Sequence, residues 1–237
     1  MRKCGVPITH LELADLTAHI VGRPDATATC VLFHGFGAPG HDLVPLAEEI
    51  AAPVRFVFPE APIVLGGMYG DSRAWWPLDL ARFEDELRRG VLRDRRDEIP
   101  EGLAEARAQV IQMIDELSAR FSIAANQLVL GGFSQGAMLA LDVALHRPAP
   151  PACLLLMSAT LLAESVWVPK MPSLAGVPVL LSHGRDDALL PFSIAEQLRD
   201  RLVAAGARVD WQPFEGGHEI PRSVLAMATT MLRARAA

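Results

Sequence analysis

Short apolar runs alternate along this chain with longer stretches whose apolar residues recur every three to four positions. Six runs rich in branched residues predict β-strands: Thr27–Phe33, Val54–Phe58, Gln127–Gly131, Ala152–Met157, Val177–Ser182 and Arg208–Pro213. They are mostly continuous rather than alternating, the pattern of strands covered on both faces of a parallel sheet. Leu103–Phe121 predicts the clearest helix, with Leu103, Val110, Ile114, Leu117 and Phe121 as its apolar stripe. Gln135–His146, Ser193–Ala205 and Pro221–Ala234 predict three more, and Pro148 closes the first of these. The first 25 residues predict an antiparallel strand or two. This alternation predicts an α/β fold, a doubly wound and mostly parallel sheet with helices on both faces.

Composition narrows the class. Of 237 residues, 51% are hydrophobic and 21% charged, enough apolar material for a sizeable core. No repeat or mid-chain linker interrupts the pattern, so residues 1–237 are expected to form one domain. The net charge of -6 argues against a basic stripe for nucleic acid. No run approaches the ~18 apolar residues of a membrane span. Met1-Arg2-Lys3-Cys4 is followed by His10, Glu12 and Asp15 rather than by an apolar leader, which makes a cytoplasmic location the expectation. Three cysteines without a CxxC pair indicate neither a disulfide framework nor structural zinc, and Cys30 and Cys153 read as buried reduced thiols.

One segment does not fit the alternation. Pro59–Pro100 is longer than an ordinary connection, and such stretches tend to be lids or binding loops. Its second half, Arg82–Glu98, holds six arginines and six acids, a balance that predicts a solvated, ion-paired surface.

The candidate chemistry begins where strand Gln127–Gly131 runs into Gly132-Phe133-Ser134-Gln135-Gly136 and then a helix. A serine presented on a tight strand-to-helix turn needs small neighbours two positions away on each side, and glycine supplies them. The helix that follows aims its N-terminal amides at developing negative charge. Ser134 is therefore the candidate nucleophile. A general base and an acid to orient it should follow in the order acid, then histidine. Strand Val177–Ser182 ends in His183-Gly184-Arg185-Asp186-Asp187, where spacing leaves Asp186 and Asp187 in competition. His218, in Gly216-Gly217-His218-Glu219, is the one histidine after them. Two backbone N–H groups should receive the oxyanion of an acyl-transfer reaction. Gln135 is assigned one and Phe36, in His34-Gly35-Phe36-Gly37, the other. His34 and His183 read as hydrogen-bonded structural residues. His10, His19, His41 and His146 read as surface or helix-end residues, and no pair has metal-ligand spacing.

Together these residues resemble the acyl-protein thioesterase/phospholipase–carboxylesterase family of α/β-hydrolases. The resemblance runs from about Cys30 to His218 and rests on four segments: Leu32-Phe33-His34-Gly35-Phe36-Gly37, Gly132-Phe133-Ser134-Gln135-Gly136, His183-Gly184-Arg185-Asp186-Asp187 with Leu190-Pro191, and Gly217-His218. It implies Asp187 as the acid and Phe36 as the second oxyanion donor. Arg73-Ala74-Trp75-Trp76-Pro77 resembles a variant of the family's tryptophan-containing loop, so Trp75 and Trp76 are candidates for the acyl-pocket wall, with core packing as the alternative. The activity implied is hydrolysis of carboxylic esters or thioesters of acyl groups, as small-molecule substrates, through a Ser134 acyl-enzyme, without a cofactor. An acyltransferase using the same triad and a non-catalytic binding relative are the alternatives. Only Ser158–Gly176 is available for a cap, too short for a domain. An open, shallow groove roofed by Gly66–Trp76 is thus expected, and its exposure favours weak self-association into a homodimer.

Overall fold

The computed structural model describes residues 8–23, 25–67, 70–90 and 94–236, so the charged start at Met1–Cys4 lies outside the described residues. Among the described residues, ten strands and seven α-helices follow in chain order. They are β1 (Ile8–Leu13), β2 (Leu16–Val21), β3 (Thr29–Phe33), α1 (Leu46–Ile50), β4 (Arg55–Pro59), β5 (Ile63–Val64), β6 (Arg73–Ala74), α2 (Leu80–Arg88) and α3 (Leu103–Phe121). Then come β7 (Leu128–Phe133), α4 (Gln135–His146), β8 (Cys153–Met157), α5 (Glu164–Trp167), β9 (Pro178–Gly184), α6 (Phe192–Ala204), β10 (Arg208–Phe214) and α7 (Arg222–Ala236).

Eight strands form one sheet in the order β1-β2-β4-β3-β7-β8-β9-β10. β1 and β2 make an antiparallel hairpin, and β2 meets β4 antiparallel, while the other neighbours are parallel. This is the predicted α/β architecture, and the first residues supply the antiparallel pair. β3, β4, β7 and β8 are buried along nearly their whole length, which is why their sequences run apolar without alternation.

The sheet separates two cores. On one face Val31, Phe33, Leu130, Leu154 and Leu156 pack with Val110 and Ile114 of α3, Leu141 of α4 and Leu198 of α6. On the other, Cys30, Leu32, Val129, Cys153 and Leu155 pack with Ile50 of α1 and Leu225 and Leu232 of α7. The alternation of neighbouring residues between the two cores is the period-2 geometry of a strand. Burial raises the Cys153 thiol to about 11 and lifts Cys30 as well, so both behave as the apolar thiols expected of them.

Two expectations about local structure and burial change. Pro59–Pro100 is not wholly irregular: β5 pairs with β6 antiparallel, and α2 occupies Leu80–Arg88. Asp79 starts that helix by accepting the Arg82 N–H at 3.0 Å. His19 is not a surface residue. Its strand lies between β1 and β4, so the imidazole is buried and bonds Glu60 at 2.8 Å, with His10 stacked edge-on at 4.7 Å.

Candidate active site

Phe36, Ser134, Gln135, Asp187 and His218 follow the carboxyl ends of parallel strands, where open α/β sheets place their crevices, whereas Trp75 and Trp76 follow β6 of the antiparallel β5–β6 pair. Ser134 follows β7 with φ 54° and ψ -119°, a conformation that costs a non-glycine residue about 1–3 kcal/mol. The flanking glycines have a steric cause. A Cβ on Gly136 would lie 2.0 Å from the Phe33 carbonyl oxygen, and one on Gly132 would lie 2.4 Å from the same atom. The elbow is thus pressed against the end of β3, and α4 starts directly behind the serine.

Asp187 and His218 lie beyond β9 and β10. Nδ1 of His218 is 2.7 Å from Asp187 Oδ2. A carboxylate only accepts, so Nδ1 carries the proton and Nε2 is left as the basic nitrogen. The other carboxylate oxygen accepts the N–H groups of Leu189 and Leu190, each at 2.9 Å. Burial alone would raise the Asp187 pKa. The hydrogen bond and charge of His218, with the two amides, outweigh that and hold it below the usual carboxylate value. Asp186 is exposed, and its N–H bonds the Gly216 carbonyl at 3.0 Å. Of the two acids, Asp187 is the one that reaches the imidazole. Among the described residues, no hydrogen bond joins the Ser134 hydroxyl to His218, but both line one cavity, and such bonds are often long in unliganded enzymes.

The two expected structural histidines are structural in geometry. His34 Nε2 accepts the Ala61 N–H at 3.1 Å, so its proton sits on Nδ1 and is donated to the Gly35 carbonyl at 2.9 Å. Nε2 of His183 lies 3.0 Å from the Leu190 carbonyl and 3.3 Å from Asp187 Oδ2, which fixes the opposite tautomer. Burial lowers the pKa of both rings and keeps them neutral.

Phe36 and Gln135 line the cavity beside Ser134, and neither N–H donates to a backbone carbonyl among the described residues. The Gln135 side chain is a feature that sequence reading missed. It is 2% exposed, accepts the Trp75 N–H through Oε1 at 2.9 Å and donates from Nε2 to the Trp76 carbonyl at 2.9 Å. Both tryptophans are buried in the core. Trp75 packs edge-on against Phe33 and donates its indole N–H to the His34 carbonyl at 2.9 Å, whereas Trp76 lines the cavity.

That cavity has a volume of about 680 Å³, within the usual range for small-molecule sites. It is not the shallow groove expected, because it reaches the buried residues Met138, Thr160 and Leu162. Nor is it roofed by the described part of Gly66–Trp75. Its outer wall is Trp76–Asp79, Arg82, Arg95 and Glu98–Pro100. The charged segment therefore has two faces. It makes the expected ion pairs, Glu86 holding both Arg82 at 3.2 Å and Arg95 at 3.0 Å, and also supplies cavity wall. The Ala163 N–H donates to the Glu98 carbonyl at 3.0 Å and the Glu164 N–H to the Arg96 carbonyl at 2.8 Å, pinning the segment across the sheet end. Ile99-Pro100, an apolar pair closing a charged run, was the one local sign of that wall.

No group of three or more His, Cys, Asp or Glu side chains is arranged to hold a metal among the described residues, and no helix there is long and apolar enough to cross a membrane.

A mostly parallel sheet with a serine on the elbow after β7, an acid after β9 and a histidine after β10 defines an α/β-hydrolase. Residues 17–235 match the phospholipase/carboxylesterase family, and the chain belongs to it. It is accordingly a hydrolase. It is similar to acyl-protein thioesterase 1 of Neurospora crassa, 27% identical over 202 residues that cover 81% of this chain and 80% of the relative. Acyl-protein thioesterase 1 of Gibberella zeae is 26% identical over 217 residues, 87% of this chain and 90% of that one. Among solved structures, esterase PE8 superposes with a TM-score of 0.77 at 29% identity, covering 92% of this chain and 98% of its own. A carboxylesterase from Mesorhizobium loti shares the fold, with a TM-score of 0.75 at 21% identity over 96% and 98% of the two chains.

Proposed function

We propose that this chain hydrolyses carboxylic esters and thioesters of acyl groups through an acyl-enzyme on Ser134. The observation that carries the reading is the 2.7 Å bond from His218 Nδ1 to the buried Asp187 carboxylate, beside a serine held at positive φ in the same cavity. Ser134 Oγ attacks the substrate carbonyl while His218 Nε2 takes the hydroxyl proton. The N–H groups of Phe36 and Gln135 receive the oxyanion, and the positive end of α4 adds to their field. The C–O or C–S bond then breaks, and His218 returns the proton to the departing alcohol or thiol. Water enters by the reverse sequence, giving up its proton to His218 and releasing the acid and free Ser134. Asp187 stays ionised throughout and stabilises the imidazolium.

The cavity wall of Trp76, Pro77, Leu78, Met138, Leu162 and Ile99 suits an apolar acyl chain, and the names of the fungal relatives extend the reading to thioesters. Labelling with an alkyl fluorophosphonate tests the nucleophile. Wild type should label and Ser134→Ala should not; equal labelling of both removes Ser134 from the mechanism. A panel of nitrophenyl esters and acyl thioesters of increasing length then reads the substrate class directly.

A further inference from the structure

We propose that the Gln135 side chain is the positioning group that sets the spacing of the oxyanion hole, an inference that rests on the Ser134 acyl-enzyme reading. Its carboxamide pairs with the Trp75 and Trp76 peptide groups as a neighbouring strand would, accepting one N–H and donating to one carbonyl, each at 2.9 Å. The strip it grips runs along the loop that carries the other oxyanion donor. Gly37 N–H donates to the Arg73 carbonyl at 2.9 Å, and Arg73 N–H donates to the Ala38 carbonyl at 2.9 Å. Pro39 and Ser72 form a further bridge, and the Trp75 indole N–H holds the His34 carbonyl at 2.9 Å.

Phe36 thus sits between two anchored neighbours, His34 and Gly37, both bonded to the strip that Gln135 holds. One residue offers the first oxyanion donor from its backbone and tethers the second through its side chain. The separation of the two donors is therefore set by a short covalent and hydrogen-bonded circuit rather than by the register of distant strands. An apolar side chain of the same length would fill the volume, but it would leave two buried peptide groups of the strip without partners.

The test uses Gln135→Met, which keeps the length and loses both bonds, and Gln135→Glu, which keeps the acceptor and loses the donor. On a nitrophenyl ester, kcat should fall about 10- to 100-fold, less than or near the loss of a whole oxyanion donor. KM should stay within about threefold of wild type, because Pro77, Leu78, Met138, Leu162 and Ile99 of the apolar cavity wall are unaltered. A trifluoromethyl ketone, which Ser134 converts to a tetrahedral oxyanion, should bind more weakly by the same factor as kcat falls. The matching methyl ketone, which adds poorly, should bind unchanged. A role in packing alone would lower thermal stability and weaken both ketones alike, or leave kcat within about twofold; either result overturns the inference. If neither variant folds, Trp75→Phe keeps a ring and removes only the indole bond to His34, with an expected kcat loss of about fivefold and unchanged turnover counting against the circuit. Ser134→Ala, run in parallel, separates the two readings. Should it hydrolyse ester like wild type, the acyl-enzyme falls; should it be inert while the Gln135 variants match wild type, only the positioning role falls.

Discussion

Gly184 lies directly against the Gly217 carbonyl, so close that a Cβ at position 184 would stand 2.2 Å from that oxygen and 2.4 Å from the Gly216 oxygen. The end of β9 and the loop bearing His218 are therefore docked backbone to backbone. The Asp186 N–H bond to Gly216 at 3.0 Å and the Arg185 N–H bond to Phe214 at 2.9 Å complete the seam. Because Asp187 leaves the β9 end and His218 leaves the loop, this seam sets the distance between the two side chains. Gly184→Ala should push the loop outward and lower kcat by about 100-fold, with a stability loss of about 1–3 kcal/mol from overpacking. Ester turnover and denaturant melts measure the two effects separately, and near-normal turnover would show that the loop yields.

The neighbouring acids should separate sharply. Asp187→Asn replaces an acceptor-only group by one that can force the wrong imidazole tautomer, and a loss of about 10⁴-fold in kcat is expected. Asp186→Asn alters an exposed side chain whose backbone alone joins the seam, so turnover should stay within about twofold. Steady-state kinetics on one nitrophenyl ester decides the matter; equal effects would place both acids in the triad.

Stability should fall as pH drops below the ordinary histidine range. Burial lowers the folded-state pKa of His34 and His183, so between about pH 6.5 and those lower values the unfolded chain binds protons that the folded chain does not. Each ring then contributes a slope of about 1.4 kcal/mol per pH unit, present as stability above pH 6.5 and lost below it. Asp187 adds a second acid loss. Its folded value lies under 3.8, so its contribution is whole above that pH and disappears as pH falls through the folded value. Urea unfolding at a series of pH values should show a shallower slope near pH 6 for His183→Gln, which retains a donor for the Leu190 carbonyl. An unchanged slope would mean His183 protonates equally in both states.

Ile99 stands at the cavity mouth with 60% of its surface exposed. Ile99→Asp should leave the fold intact, since exposed positions tolerate such changes. It should raise KM for long-chain esters by about tenfold through lost apolar contact, with acetyl esters little affected. A chain-length series in the variant measures this, and a uniform change across all lengths would place the acyl chain elsewhere.

Much of this protein was legible along the chain because the deciding signals are local. α3 and α4 span Leu103–Phe121 and Gln135–His146, the same limits that their apolar spacing and turn residues predict. The six strands fall within two residues of their apolar runs at either end, since burial on both faces of β3, β4, β7, β8 and β9 leaves a continuous apolar signature, while β10 at the sheet edge is only partly buried. Ser134 was legible for a similar reason: its elbow, flanking glycines and following helix are contiguous in sequence.

What the chain alone left open involves partners far apart in sequence. Adjacent Asp186 and Asp187 differ only in which way the turn after Gly184 points them, and the amides of Leu189 and Leu190 with His218 select Asp187 for the buried position. His19 looked like a surface residue until strand order put it between two neighbours beneath Glu60. Trp75 and Trp76 share one motif and are both buried in the core, yet only Trp76 is also cavity wall among the described residues. The charged run Arg82–Glu98 reads as solvated because its acids and bases balance, and only its attachment to residues 163 and 164 turns its inner face into cavity wall. Periodicity, turn residues and the serine elbow are properties of neighbours along the chain and are legible there. The choice of acid, the placement of the tryptophans and the shape of the cavity depend on contacts between residues 31, 59 and 60 positions apart, which form only when the chain folds.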